Sequence, residues 1–386
     1  MLSSRSALPT TPNLLAAALE HARARGRRIV DLTESNPTLA GIPFDAPAIL
    51  GALSDPGSLR YDPEPFGLPS ARQAVAVELS KQGTPIVADR IVLTASTSEA
   101  YGLLFKLLCD PGDEVVVPEP SYPLLQQLAA FECVRLVPYR LAYDGAWHVD
   151  TASLRGALSA RSRAVVVVSP NNPTGSFVKK DELVALAAAG LPIISDEVFA
   201  GYAFGADARR AGSALEATDA LVFALGGLSK HAALPQLKLA WIAAGGPSPL
   251  VRAALDRLEH LADAYLSAAT PVQLALPSLL ASRSVAVEAI RRRTARNLAR
   301  LREQSGGCPV SVLDVEGGWY AVVRLPATEP EEAWVLGLLE EDGVLVQPGW
   351  FYDFREEPIA VVSLLAREAD FDAGVAGLLE RVRRRS

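Results

Sequence analysis

Cysteine, histidine and lysine are all sparse in this 386-residue chain, and each scarcity removes a class of function. The three cysteines (Cys109, Cys133, Cys308) are odd in number, far apart and form no CxxC pair. That pattern excludes a disulfide framework or a thiolate zinc site and points to a reducing compartment. The four histidines (His21, His148, His231, His260) lack metal-ligand spacing, so no metal site is expected. Walker, GxGxxG, GxSxG and HExxH motifs are absent. No apolar run is long enough to cross a membrane. The run at 14–19 is too short, and too soon followed by His and Arg, for a signal sequence. A net charge of −7 with a pI near 5.3 lacks the basic footprint of a nucleic-acid binder. The expectation is a cytoplasmic protein that binds neither membrane nor nucleic acid.

What is present is a folded globular composition, 49% hydrophobic and 21% charged, on a chain long enough for two lobes. Residues 12–26 read as an amphipathic helix ended by Gly26, and 36–43 break regular structure with Asn-Pro, Gly and Pro. From residue 91 the pattern alternates. β-rich runs at 91–95, 114–117, 134–138, 164–169, 191–195, 221–225 and 239–243 are mostly separated by helical segments, near 97–109, 122–130, 151–159 and 179–190. Continuous apolar strands such as AVVVV, alternating with helices, predict a mostly parallel seven-stranded sheet covered on both faces. A long helical region from 250 to about 301, broken at Thr270-Pro271, leads into a shorter α+β tail.

In such sheets ligands bind beyond the carboxyl ends of the strands. Five strand ends carry polar groups: Ser96-Thr97, Tyr122 in PEPSYP, the amides of PNNPTG at 170–175, Asp196, and the loop holding Lys230. Ser96 and Thr97 at a helix start suit a phosphate, although a plain N-cap is the commoner use of such residues. An Asp directly after a buried strand needs a cationic or hydrogen-bonding partner. Lys230 follows an apolar run and a Gly-Gly turn; the other five lysines read as solvated or near-surface. Desolvation lowers the pKa of a lysine, and a neutral amine can form a Schiff base with a carbonyl. Phosphate, flat ring, ring nitrogen and carbonyl occur together in pyridoxal phosphate.

Four motifs in order now carry a resemblance. YDPEPFGLPSAR is similar to Y-x-P-x-x-G-x-P-x-x-R, PNNPTG contains NPTG, SDEVF is similar to D-E-x-[YF], and GGLSKHAALPQLKLAW is similar to S-K-x-x-G-x-x-G-x-R. The chain resembles the class I/II aminotransferases, pyridoxal 5'-phosphate enzymes of the aspartate aminotransferase fold (fold type I), over nearly its whole length. The resemblance implies a large cofactor-binding domain at 44–278 and a smaller α+β domain from 1–43 and 279–386. It also implies a homodimer with shared active sites, and transfer of an amino group from an amino donor to an oxo-acid acceptor. By position, Lys230 would hold the cofactor as a Schiff base and shuttle the Cα proton, Asp196 would face the pyridine nitrogen, and Asn172 would face the ring oxygen. Tyr122 would stack on the ring. Ser96, Thr97, Ser229 and Lys238 would take the phosphate, with Tyr61 reaching it from the neighbouring subunit. Asn36 and Asn172 lie where the family contacts substrate.

The departures lie at both ends of the site. Phe199 stands where the family has a Tyr that bonds the ring oxygen, with Tyr202 three residues on. Lys238 replaces a phosphate-binding Arg, keeping charge but losing the planar fork, and Ala233 and Gln236 replace loop glycines. Val361, in IAVVSLLARE, occupies the position of the Arg that clamps the substrate carboxylate. Arg367 and Arg324 are the candidate replacements. Because of Val361 and Phe199, another fold type I reaction (β- or γ-elimination, or decarboxylation) stays open beside transamination. A non-catalytic cofactor-binding regulator is a third reading, disfavoured by the acidic charge and the single short helix before ESNPT.

Overall fold

The structure, a computed structural model, describes residues 2–7, 13–355 and 358–386. Its strands in chain order are β1 (Val30–Asp31), β2 (Ile91–Thr94), β3 (Glu114–Glu119), β4 (Arg135–Tyr143), β5 (Trp147–Val149), β6 (Ser162–Val168), β7 (Ile193–Asp196), β8 (Val222–Gly227) and β9 (Ala240–Gly245), then β10 (Ser311–Val312), β11 (Tyr320–Arg324), β12 (Val344–Leu345), β13 (Gln347–Pro348) and β14 (Ile359–Ser363). Strands β2 to β9 form one sheet in the order β2-β9-β8-β7-β6-β3-β4-β5. The β4-β3-β6-β7-β8 block is parallel throughout; β9 runs antiparallel between β8 and β2. The ends of β2, β3, β6, β7 and β8 therefore all point to one rim.

The sequence pattern predicts seven strands; the sheet has eight. The extra one, β5, returns antiparallel on β4 after the Asp144–Ala146 turn. Its three residues are too few to display a period of two. The central strands are buried along their length, as their Val and Ile runs require. One core, with Val165, Val167, Ile193 and Val222, lies on one face, and another, with Val166, Ile194, Phe223 and Leu225, on the other. Helices Thr97–Leu108, Leu124–Phe131 and Ser248–Asp263 cover the second face. The helix expected over 12–26 is described from Leu14 to Ala24, and Pro12 lies outside the described residues.

The tail forms a second, antiparallel sheet, β10-β11-β14-β13, whose outer face packs on helices Ser284–Gln304 and Glu368–Arg385. Its inner face joins the first core: Trp319, Tyr320, Val322, Ile359 and Val361 pack with residues of the large sheet. The join is made by main chain. Phe204 N–H donates to Glu316 O (2.9 Å), Gly318 N–H donates to Tyr202 O (3.0 Å), and Ala203 bridges Gly317. Lys179 is buried here and ion-paired to Glu316 at 2.6 Å, with Arg210 on the same carboxylate at 3.0 Å. It is therefore not a solvated lysine, contrary to the sequence reading; its partner lies 137 residues away, beyond the reach of any local pattern.

Gly175 sits at this join with φ +73°, and a Cβ there would stand 2.5 Å from Gly317 O. Left-handed backbone and a main-chain clash act together at this one position. Gly175→Ala is expected to lower unfolding free energy by about 2 kcal/mol or more, read as a shift of the urea midpoint.

Candidate active site

Five strand ends bring the polar residues to the common rim. After β6 the turn is built by Asn171. Its Oδ1 accepts from the Thr174 hydroxyl (3.1 Å), its N–H donates to Ser176 O, and its Nδ2 donates to Pro120 O (3.4 Å). The neighbouring Asn172 is only 9% exposed, and its Oδ1 has no partner. Of the two amides, one is structural and the other is buried with unused hydrogen-bonding capacity, which a native fold rarely tolerates without a ligand.

Asp196 ends β7, 8% exposed. Tyr101 OH donates to Oδ2 (3.4 Å) and Val198 N–H to Oδ1 (3.2 Å). Burial pushes its carboxyl up to about 6, against these two bonds and the nearby Lys230 charge. The adjacent Glu197 is an anchor, accepting from Ser195, Ser213 and the Ala214 N–H.

Strand β8 ends in Gly226-Gly227, where added Cβ atoms would fall 2.5 Å from Trp241 Nε1 and 2.9 Å from Ala240 Cβ. The close approach of β9 thus requires glycine before the lysine. A single turn, Leu228–His231, carries Lys230. Two groups hold that turn by its carbonyls: Tyr202 OH donates to Lys230 O (2.6 Å), and Arg283 donates to His231 O (3.1 Å). The Tyr202 hydroxyl is thereby committed to main chain. Lys230 Nζ lies over the Trp319 ring (4.6 Å) and near the Phe199 ring (5.5 Å). Burial among these aromatics lowers the amine to about 8, partly opposed by the Asp196 carboxylate.

Tyr122, 40% exposed, stands near enough to Asp196 for the carboxylate to raise its phenol, after burial. Ser96 caps helix Thr97–Leu108, its Oγ accepting from Glu99 N–H at 3.1 Å, so the ordinary capping role is present alongside Thr97 at the positive end of the helix. Ser229 is half-buried beside Lys230, whereas Lys238 is exposed and left-handed (φ +47°). Tyr61 is 79% exposed and lines a small cleft with Glu99 and Ser267.

The substrate-end candidates are more dispersed. Asn36 spends its Oδ1 on Thr38, as an Asx turn. Arg367 is exposed and donates to Leu39 O (3.2 Å). Arg324 lines a 340 Å³ cavity with Glu119, Arg140 and Arg355. Val361 is fully buried, paired across β14 with Val322 and Gln347. Sequence reasoning missed Trp319; the signal available was the Gly317-Gly318 pair opening an aromatic strand.

Residues 27–358 match the family described as aminotransferase class I and II. The chain belongs to this family. It is 28% identical over 262 residues to the glutamate-pyruvate aminotransferase AlaA of Escherichia coli K12, an alignment covering 66% of this chain and 64% of that protein. It is 27% identical over 263 residues to human tyrosine aminotransferase, covering 66% and 58%. The chain thus spans somewhat less than two thirds of the curated relatives it matches. Among solved structures, an alanine aminotransferase from Pyrococcus furiosus superposes with a TM-score of 0.89 at 23% identity, covering all of both chains. A Thermus thermophilus aspartate aminotransferase double mutant superposes at 0.85 with 23% identity, covering 98% of this chain and 99% of that one. These likenesses establish the fold.

Pyridoxal 5'-phosphate is the cofactor of this family, and the site fits it. A desolvated amine, a buried acid and a buried amide with an Nδ2 donor are the groups its aldehyde, ring nitrogen and ring oxygen require. Among the described residues no cluster could hold a metal ion.

Two outcomes follow from the loop. Ala233 is left-handed, with φ +59°, and has no exposure. Ala233→Gly is expected to stabilise by about 1 kcal/mol, the left-handed strain relieved less the entropy of glycine, measured by thermal denaturation. Because the Lys230 amine is lowered to about 8, capture of added pyridoxal phosphate by the cofactor-free chain should speed up with rising pH and level off above that value. Stopped-flow absorbance checks this; a rate still climbing towards the ordinary lysine value would contradict the burial argument.

Proposed function

We propose that this chain is a pyridoxal-phosphate-dependent aminotransferase that moves an amino group between an amino acid and an oxo acid. The observation that carries the reading is the convergence of Lys230, desolvated and lowered to about 8, with the buried Asp196 and the buried Asn172 on one rim. Bound pyridoxal phosphate supplies an electron sink for the carbon that loses its proton. Lys230 would hold the cofactor through its aldehyde carbon, and its amine is the group that would move a proton at the substrate Cα. Its depressed pKa suits it to act as a base near neutral pH. Asp196 would pair with the protonated ring nitrogen, a cation that favours the ionised carboxylate against its burial. Asn172 donates to the ring oxygen, and with Phe199 offering no hydroxyl this amide acts without a phenolic partner. Tyr122 covers the ring face. Ser96, Thr97, Ser229 and Lys238 hold the phosphate.

We further propose a homodimer in which Tyr61 of one subunit reaches the phosphate of the other. Its 79% exposure, together with exposed Leu50 (64%) and Leu59 (94%) on segments that both pack against helix Thr270–Ser282, supports an apolar face needing a cover. The functional division is 44–278 against 1–43 with 279–386, and the compartment is the cytoplasm, which three unpaired cysteines favour.

Elimination from a single amino acid is the second reading, favoured by Val361 and Phe199. Loaded protein mixed with a panel of amino acids separates the two. Transamination converts the cofactor absorbance to its amine form, which a 2-oxo acid then reverses. Release of ammonia without a second substrate would instead indicate elimination. Lys230→Ala is expected to lose the covalent cofactor absorbance and more than about a thousandfold of turnover, since it removes both the attachment point and the base. Turnover near the wild-type level in that variant would refute the reading.

A further inference from the structure

Three buried polar atoms without partners belong to segments that meet at the site: Asn172 Oδ1, Ser121 Oγ and Trp319 Nε1. The first is a carbonyl oxygen, an acceptor only. The other two are not, and Trp319 is the more telling. Its side chain is fully buried, its ring lies 4.6 Å from Lys230 Nζ, and it packs edge-on to Phe199 (5.3 Å) and Tyr202 (5.2 Å). An indole N–H can only donate, so its missing partner must be an acceptor, and leaving such a donor buried and unpaired is costly.

The position is held firmly. Gly318 N–H donates to Tyr202 O, and Leu364 N–H donates to Trp319 O (2.7 Å), fixing the segment by main chain on two sides. A Cβ on Gly317 would fall 2.7 Å from both Tyr202 O and the Phe177 ring, so the approach of this segment to the large sheet depends on glycine. Ser121 is held similarly, its N–H donating to Tyr352 O (3.1 Å), next to Tyr122.

No guanidinium stands on β14, where Val361 is sealed in the core. Arg293 donates to the carbonyls of Ala40, Leu365 and Ala366, and Arg367 to that of Leu39. Resting on the aminotransferase reading, we propose that the carboxylate of the amino- and oxo-acid substrates is held by neutral donors, the indole N–H of Trp319 with the hydroxyl of Ser121. A carboxylate oxygen is the acceptor both lack, and N–H and O–H bonds to an anion are stronger than neutral ones. Trp319 is then a substrate-binding residue that selects for a carboxylate beside the amine.

The test uses 2-methyl amino acids (small, acidic and aromatic), which carry amine and carboxylate but no Cα hydrogen and so bind the loaded enzyme without turnover. Calorimetry gives their Kd, with tert-butylamine as the carboxylate-free control. Trp319→Phe is expected to weaken the tightest of them about tenfold or more, as loss of a hydrogen bond to a charged group does. It should leave tert-butylamine binding and the cofactor absorbance unchanged. Ser121→Ala, a smaller change that spares the aromatic core, should weaken the same ligand by a lesser factor. Kd within twofold of wild type in both variants overturns the proposal. So does a tenfold loss in Arg367→Gln or Arg324→Gln with none in Trp319→Phe, or a wild type that binds none of the ligands. A changed cofactor absorbance with unchanged Kd would assign the indole donor to the cofactor and likewise overturn it. Because no transfer need occur, the result stands apart from whether the chain transaminates.

Discussion

Desolvation of one amine and one carboxylate on the same rim is the constraint on which the rest of this structure depends. Burial works against the charged form of each, lowering Lys230 to about 8 and raising Asp196 to about 6, while each charge partly restores the other. Neither group could be kept in an apolar setting unless the surrounding main chain were fixed. The fixing is visible at every step: glycines that let β9 close on β8, a tyrosine hydroxyl on the lysine carbonyl, an arginine on the next carbonyl, and a tyrosine on the acid. Behind the lysine, His231 lies buried against Gln82 and Glu78, and burial lowers its pKa, so the turn presents a neutral ring to the helix it packs on.

Most of the large sheet and all five polar strand ends were legible in the sequence, for a physical reason. A strand buried on both faces must be apolar throughout, so AVVVV and PIIS announce themselves, and the polar residue that ends each run marks the rim. Asp196 and Lys230 were readable because charge is conspicuous against such runs. What could not be read was whatever depends on partners distant in sequence. Lys179 looks like a helix-start lysine until Glu316 is brought to it. Asn171 and Asn172 are indistinguishable as neighbours, and only the folded turn assigns one to structure and leaves the other unpaired. Three-residue β5 and the two-residue pairing of β1 with β12 are too short for any periodicity to declare.

The large sheet and the tail are constrained differently. The rim residues of the large sheet hang from strands where a shift of one residue would turn every side chain to the opposite face. The tail sheet packs against it through the shared core. There Val361 fits an apolar strand face as well as any residue could, and its neighbours Val322, Tyr352 and Trp319 form a continuous core around it. Replacing a buried charge by such packing is often neutral or favourable for stability. Nothing in the energetics of the fold therefore calls for a guanidinium at this position; the cost of desolvation would count against one.

That cost bears on the Lys179–Glu316–Arg210 cluster. Largely buried ion pairs contribute little net stability, because desolvation offsets the attraction, but removing one partner leaves an uncompensated charge and is strongly disfavoured. Glu316 is thus confined to one place, and its own carbonyl accepts from Phe204. The two glycines that follow it can approach the large sheet closely, and the next residue is Trp319. The cluster thus reinforces the main-chain bonds that join the tail to the large sheet. Trp319, three residues beyond Glu316, has its ring under the lysine amine and its indole N–H without a partner. Ion cluster and main-chain bonds together hold the segment that carries this side chain.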